Sequence, residues 1–408
     1  MKKIISVLLA AIMIFALCGC GDSGSADTSS AKTSSKKTSS GKINSFTTAR
    51  TYKETEGPKW NFDNTYYKLT KEKKLNVAYI GGSVTVGTGG DPKKDCWRVY
   101  TTNWFKENFP NAEINEIDAS IGATSSLWGF ARYKREVIEK NPDIIFIEFS
   151  VNDVYTGLAK GTSAAIMDGM IRETQKALPN CDIVVISVPD SSSFNGVSGS
   201  RDAHAGAAKY NGVTWLDMSV PLKAIMQKKG TAWGDYITDS VHPNKTGYRV
   251  YADYIAETLT AEFKQSKARG ASKLVAHTVP AEAYTSNPAS NAQTIWSPDI
   301  KYGDGWKLGG SIKKMYFAQS SYTALRGNNG ATLTFEVKGC YFAVFGDFKQ
   351  NSKVRFQLDG GNDMLIGYNK DQSGEQLIYD NMDPNVTHTI TLTVEGSGLC
   401  GLICVFIG

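Results

Sequence analysis

The chain has 408 residues, 41% of them hydrophobic, enough apolar material for about two globular domains with cores of their own. Its 45 basic and 40 acidic side chains leave a net charge of +5, too mild a balance for a nucleic-acid partner, and no long basic run accompanies it. With four histidines and neither a CxxC pair nor an HExxH motif, no metal site or other cofactor is expected.

The N-terminus reads as a targeting segment. Lys2 and Lys3 precede an apolar run, Ile4 to Leu17, that is too short to span a bilayer comfortably. The run ends in Leu17-Cys18-Gly19-Cys20, which resembles the lipobox of bacterial lipoproteins. The resemblance implies cleavage before Cys20, acylation of that residue and a lipid-anchored protein outside the cytoplasm. Residues 21–58 are Ser, Thr, Lys and Gly with almost nothing to bury, so a loose tether is expected there. Its lysines, among them Lys32, Lys36, Lys37 and Lys42, suit an anionic membrane or wall surface.

From about Lys74 the pattern changes. Leu75 to Ile80, Ile144 to Phe149 and Ile183 to Val188 are short, nearly continuous apolar runs, as in strands buried on both faces of a parallel sheet. Ile114 to Ile117 and Val213 to Met218 are weaker strand candidates. Between and after them, apolar residues recur at helical spacing: Trp97, Tyr100, Trp104 and Phe105; Leu127, Phe130 and Ala131, then Val137 and Ile138; Ile166, Met170 and Ile171; Tyr248, Tyr251, Ile255 and Leu259. Alternating strand and helix imply a three-layer α/β/α sandwich with a mostly parallel sheet. Glu148 sits inside one of the apolar strands, where an unpaired charge is costly, and Arg132 is its candidate partner.

The polar stretch from Lys264 to Lys273 breaks the helical period. Beyond it Thr332 to Val337, Tyr341 to Phe345, Val354 to Leu358, Thr387 to Val394 and Leu402 to Ile407 read as strands divided by turns such as Asp359-Gly360-Gly361. The expected organisation is a leader over 1–20, a tether over 21–58, an α/β domain over 59–265, a linker over 266–276 and an all-β sandwich over 277–408. Of seven cysteines, five lie beyond the lipobox, an odd number that argues against a full disulfide framework. Cys400 and Cys404 can pair with each other or with Cys340, or remain buried thiols.

Reactive groups of an open α/β sheet collect at the carboxyl ends of its strands. One such end carries Gly81-Gly82-Ser83-Val84-Thr85 and another Ser150-Val151-Asn152-Asp153, while Asp239-Ser240-Val241-His242-Pro243 precedes the last helix. A serine hydroxyl is a weak nucleophile until an imidazole takes its proton, an aspartate three residues before the histidine can orient that ring, and an amide can bind an oxyanion. The blocks resemble those of the SGNH, or GDSL-type, hydrolase superfamily, in the same order over about residues 75–262. The resemblance implies Ser83 as nucleophile, His242 as base, Asp239 as its partner, and Asn152 with the Ser83 N–H as oxyanion donors. Gly82 replaces the superfamily's usual aspartate and Ser150 its usual glycine. In the second block, Asp118 to Thr124, a gap-free match places Ala123 at the oxyanion glycine, with Gly122 beside it as the alternative. A phosphate cradle at GGSVTVGTGG lacks the Lys-Ser/Thr ending of a P-loop. His204, His277 and His388 have no such company and read as structural or exposed.

The tail contains Trp296, Tyr302, Trp306, Tyr316 and Tyr322, which can either stack on sugars or fill a core. The domain loosely resembles carbohydrate-binding modules of the galactose-binding-like type. Together these features imply an exported serine esterase removing acyl groups, acetyl foremost, from a carbohydrate or polysaccharide. A lipase, phospholipase or thioesterase with the same triad is the first alternative. A non-catalytic glycan-binding lipoprotein is the second.

Overall fold

The computed structural model describes residues 52–53, 55–57, 59–196, 199–312, 322–372, 374–397 and 400–408. The leader, Cys20, nearly all of the tether and Tyr316 lie outside the described residues. The described residues form one compact unit.

Five strands make the first sheet: β1 (Lys74–Gly81), β2 (Glu113–Ser120), β3 (Ile144–Glu148), β4 (Asp182–Ser187) and β5 (Thr214–Asp217). They lie in the order β2-β1-β3-β4-β5 and every neighbouring pair is parallel. Every residue of β3 and β4 is buried, as their apolar runs require, because helices cover both faces. The helices are α1 (Asp63–Tyr67), α2 (Ser83–Val86), α3 (Trp97–Asn108), α4 (Ser126–Glu136), α5 (Ser150–Tyr155), α6 (Lys160–Ala177), α7 (Gly199–Tyr210), α8 (Ser219–Lys229) and α9 (Lys245–Arg269). Val77, Tyr79, Phe146 and Ile186 face a core shared with α3 and α9, whereas Ile80, Ile147 and Val185 face one shared with α4 and α6. Register aligns Gly81 with Ser120 on one side and Glu148 on the other. The loops after β1, β2 and β3, which carry the first three sequence blocks, therefore leave the sheet together.

The helix α9 runs to Arg269, through the first half of the polar stretch that reads as a break. Phe263 and Ser266 are buried, Arg269 pairs with Asp63 at 2.7 Å, and Gly270, at φ 70°, ends the helix in a left-handed cap. No described helix is long and apolar enough to cross a membrane.

The C-terminal region is an antiparallel sandwich. One sheet has the order β13-β10-β15-β8-β7 with β6 pairing β15, and the other the order β12-β11-β14-β9. These strands are β6 (Gln293–Trp296), β7 (Trp306–Ile312), β8 (Tyr322–Gly327), β9 (Thr332–Val337), β10 (Tyr341–Asp347), β11 (Val354–Leu358), β12 (Gly361–Ile366), β13 (Gly374–Asp380), β14 (His388–Val394) and β15 (Cys400–Ile407). Asp359 and Gly360, at φ 51° and 76°, form the tight turn between β11 and β12, with the paired positive φ angles of a type I′ hairpin.

Every residue of β15 is buried because its sheet is covered twice. Leu402 and Val405 face the interior of the sandwich, while Ile403, Cys404 and Phe406 join the core beneath α4 and α6. Trp128 on α4 meets Phe345 at 4.5 Å between ring centroids, and Phe130 meets Phe406 at 5.4 Å. The tail aromatics divide accordingly. Trp296 and Tyr322 pack on Trp128, Trp306 fills the sandwich core and Tyr302 is exposed. Cys96, Cys181, Cys400 and Cys404 are buried free thiols, so neither Cys400 nor Cys404 forms the disulfide left open above.

Candidate active site

The sheet order reverses direction between β1 and β3, the switch point at which open α/β sheets bind ligands. Ser83 follows β1 there as the first residue of α2, and as such its N–H has no intrahelical acceptor. Two glycines precede it for separate steric reasons. A Cβ on Gly81 would lie 2.2 Å from Thr85 Oγ1 and 2.6 Å from the Glu148 carbonyl oxygen. One on Gly82 would lie 2.1 Å from Asn152 Oδ1. Glycine in place of the superfamily's aspartate thus lets the Asn152 carboxamide, from the neighbouring switch-point loop, close on the serine turn. Its oxygen is buried with no hydrogen-bond partner among the described residues, so packing holds the amide there.

The histidine loop is shaped by its own aspartate. Asp239 Oδ1 accepts the N–H groups of Val241 and His242, each at 2.8 Å, and Oδ2 accepts His242 Nδ1–H at 2.7 Å. Partial burial pushes the Asp239 carboxyl up, but the backbone and ring donors of His242 outweigh it and hold the group below its ordinary value. With Nδ1 donating, Nε2 is left as an acceptor, and Ser83 Oγ lies 2.8 Å from it. The structure thus brings Ser83, His242 and Asp239 into one hydrogen-bonded run.

After β2, the turn at Ile121–Thr124 carries the second block. Ala123 has φ 58°, while Gly122 is not among the residues of positive φ. The left-handed position that favours glycine is therefore Ala123, at a strain of about 1 kcal/mol.

The remaining sequence candidates fall elsewhere. Arg132 does not pair with Glu148; it bonds the Ala119 carbonyl at 2.5 Å and Glu136 at 2.7 Å, one helical turn along α4. Glu148 instead accepts the Thr85 hydroxyl at 3.0 Å beneath the serine turn, and its second oxygen has no partner among the described residues. His204 is buried against Asp153 and Ser163, His277 stacks on Trp60, and His388 bonds Asp359. Sequence reasoning missed Asp153, the neighbour of Asn152, which is fully buried and accepts both the N–H and the hydroxyl of Ser126. It also missed Tyr155, exposed beside Ser240. A Ser-Ser pair ahead of an apolar helical run is a helix-start signal that points to Ser125 and Ser126. Among the described residues no cluster of three or more His, Cys, Asp or Glu side chains is arranged to hold a metal.

Burial pushes the Glu148 carboxyl up from about 4.5 to about 7, and the Thr85 hydroxyl opposes this only in part. The folded protein then keeps a proton that the unfolded chain has released, so this group's contribution to stability fades as pH rises from about 4.5 to about 7. Glu148→Gln, neutral throughout, is expected to match wild type near pH 5 and to exceed it by about 3 kcal/mol near pH 8. Denaturant melts at both pH values check this; an equal difference at the two would refute it.

Residues 79–250 match the GDSL-like Lipase/Acylhydrolase family. No curated protein sequence matches the chain. Over 86% of its length the chain is similar in structure to 95% of a two-domain esterase (CEX) active on acetylated mannans, co-crystallised with mannopentaose. The identity is 18% and the TM-score 0.65. A second structure of a two-domain esterase (CEX) active on acetylated mannans matches at 20% identity and TM-score 0.66, covering 85% of this chain and 96% of that one. The likeness shows a shared two-domain architecture.

Proposed function

We propose that this protein is a serine esterase that removes acetyl groups from carbohydrate. The observation that carries the reading is the hydrogen-bonded run from Ser83 through His242 to Asp239 at the switch point of a GDSL-type domain. Ser83 Oγ attacks the ester carbonyl as His242 Nε2 takes its proton, and Asp239 stabilises the imidazolium that forms. The carbonyl oxygen, now negative, is bound by the N–H groups of Ser83 and Ala123 and by the Asn152 amide. His242 returns the proton to the leaving sugar hydroxyl. A water activated by the same imidazole then releases acetate and restores Ser83.

One finding supports an acetylated sugar as substrate: a protein of the same two-domain fold is an esterase active on acetylated mannans. The test is release of acetate from acetylated mannan beside hydrolysis of p-nitrophenyl acetate and octanoate, with Ser83→Ala as control. Acetate release that depends on Ser83 is the expected result. A strong preference for octanoate would move the reading to lipids, and equal inactivity of both proteins on every ester would leave a glycan-binding protein.

A further inference from the structure

A carboxylate of the C-terminal sandwich reaches the start of a helix in the hydrolase domain. Glu375, on β13, is half-buried and sets its carboxylate against the N-terminus of α4, directly after the turn that carries Ala123. Its Oε1 accepts the Ser125 N–H at 3.1 Å, and its Oε2 accepts the Ser125 hydroxyl at 2.7 Å and the Trp128 N–H at 3.2 Å. Asp153 takes the next residue, accepting the Ser126 N–H at 2.7 Å and its hydroxyl at 2.8 Å, and Ser125 Oγ accepts the Leu127 N–H at 3.1 Å. The donors that a helix leaves orphaned at its start are thus shared between two carboxylates and one hydroxyl.

The two carboxylates come from places that matter to each other. Asp153 adjoins Asn152, and Ser163 and His204 hold it from behind at 2.5 and 3.0 Å. Glu375 comes from the other domain, 250 residues along the chain from Ser125. Asp153 fastens the start of α4, two residues beyond the Ala123 turn, to the Asn152 loop, and Glu375 fastens the same helix start to the sandwich. Desolvation pushes the Glu375 carboxyl up to about 7, and the Ser125 and Trp128 donors oppose this only in part. The same strand also bonds Thr162 of α6 through Asp380 at 2.7 Å, and Tyr322 of β8 bonds Glu136 at the far end of α4 at 2.9 Å. The sandwich therefore grips α4 at both ends.

We infer that Glu375 is a positioning residue of the esterase site, holding the Ala123 N–H in register with the Asn152 amide, so that the C-terminal sandwich is part of the catalytic apparatus. The inference rests on the esterase reading above. Without Glu375 the ground-state contacts of an ester remain, but the donors that meet the developing oxyanion shift. Loss should appear in kcat while KM stays nearly constant, which marks an interaction made in the transition state.

The experiment compares the full-length wild type, Ser83→Ala, Glu375→Gln and Glu375→Ala on p-nitrophenyl acetate, with thermal melting of each. Glu375→Ala is expected to lose about 100-fold in kcat with KM changed less than about threefold, and Glu375→Gln, which keeps volume and one acceptor, to lose about tenfold. Either folded variant with wild-type kcat overturns the inference, as does a loss confined to KM. If neither Glu375 variant folds, Ser125→Ala decides: a fall in kcat at steady KM supports the inference and unchanged kcat overturns it. A wild type no more active than Ser83→Ala would instead sink the esterase reading itself, and this inference with it.

Discussion

Ser83→Ala and His242→Ala are each expected to lower kcat for p-nitrophenyl acetate by about a millionfold, and the double variant by no more than either alone. The serine hydroxyl is useful only while an imidazole nitrogen accepts its proton, and His242 Nε2 has no other task at 2.8 Å from Ser83 Oγ. Removing one member leaves the other without a partner, so the losses do not add. Asp239→Asn should cost less, about ten-thousandfold, because nucleophile and base remain while the ring loses the partner that selects its tautomer. Its amide would also face the Val241 and His242 N–H groups that now donate to Oδ1 at 2.8 Å, so loop geometry is at stake as well as charge. Steady-state kinetics on the four variants, with folding followed by circular dichroism, check the set. Losses of Ser83 and His242 that multiply in the double variant would mean that the two act independently, which this geometry forbids.

Gly82→Ala is expected to act as though Asn152 had been removed. The added methyl would lie 2.1 Å from Asn152 Oδ1 and 2.8 Å from its Cγ, far inside van der Waals contact. Both glycine neighbours in the chain are fixed by the strand and the serine turn, so the Asn152 side chain is what gives way. Loss of one oxyanion donor costs about 100- to 1000-fold in kcat, and Gly82→Ala should fall in that range with KM little changed. Asn152→Ala is the comparator. In the Asn152→Ala background the methyl has room, so adding Gly82→Ala should cost nothing more. Full activity in Gly82→Ala, or a further hundredfold loss in the double variant, would refute the clash as the reason for the glycine.

Much of this protein was legible from local chemistry. β3 and β4 announce themselves as unbroken apolar runs because both their faces are covered, and every residue of each is buried. β2 reads weakly because it is an edge strand, alternating Glu113, Asn115, Glu116 and Asp118 with a few apolar residues. Asp239 and His242 declare their pairing through a three-residue spacing, since the carboxylate that takes the ring also takes the intervening backbone N–H groups. The sequence puts Ser83 and Asn152 at strand ends; that those two strands are neighbours comes from the sheet order.

Other features depend on contacts that no local pattern encodes. Arg132 and Glu148 are a reasonable pair by charge alone, yet Arg132 finds Glu136 one turn away while Glu148 turns beneath the serine loop to Thr85. Trp296 and Tyr322 have the composition of a sugar platform, but the sheet that carries them packs on α4, where Tyr322 is buried against Trp128 and Trp296 is half-buried beside it. Glu375 is one of two acidic residues in β13, and only the docking of the sandwich brings it to Ser125. Periodicity and short spacings record which face of an element is buried and how a loop closes on itself. They determined the parallel sheet, the sandwich and the nucleophile–base candidates. Which buried charge meets which donor across 250 residues is decided by how the two domains pack, because the free energy of that contact exists only once both surfaces have left water.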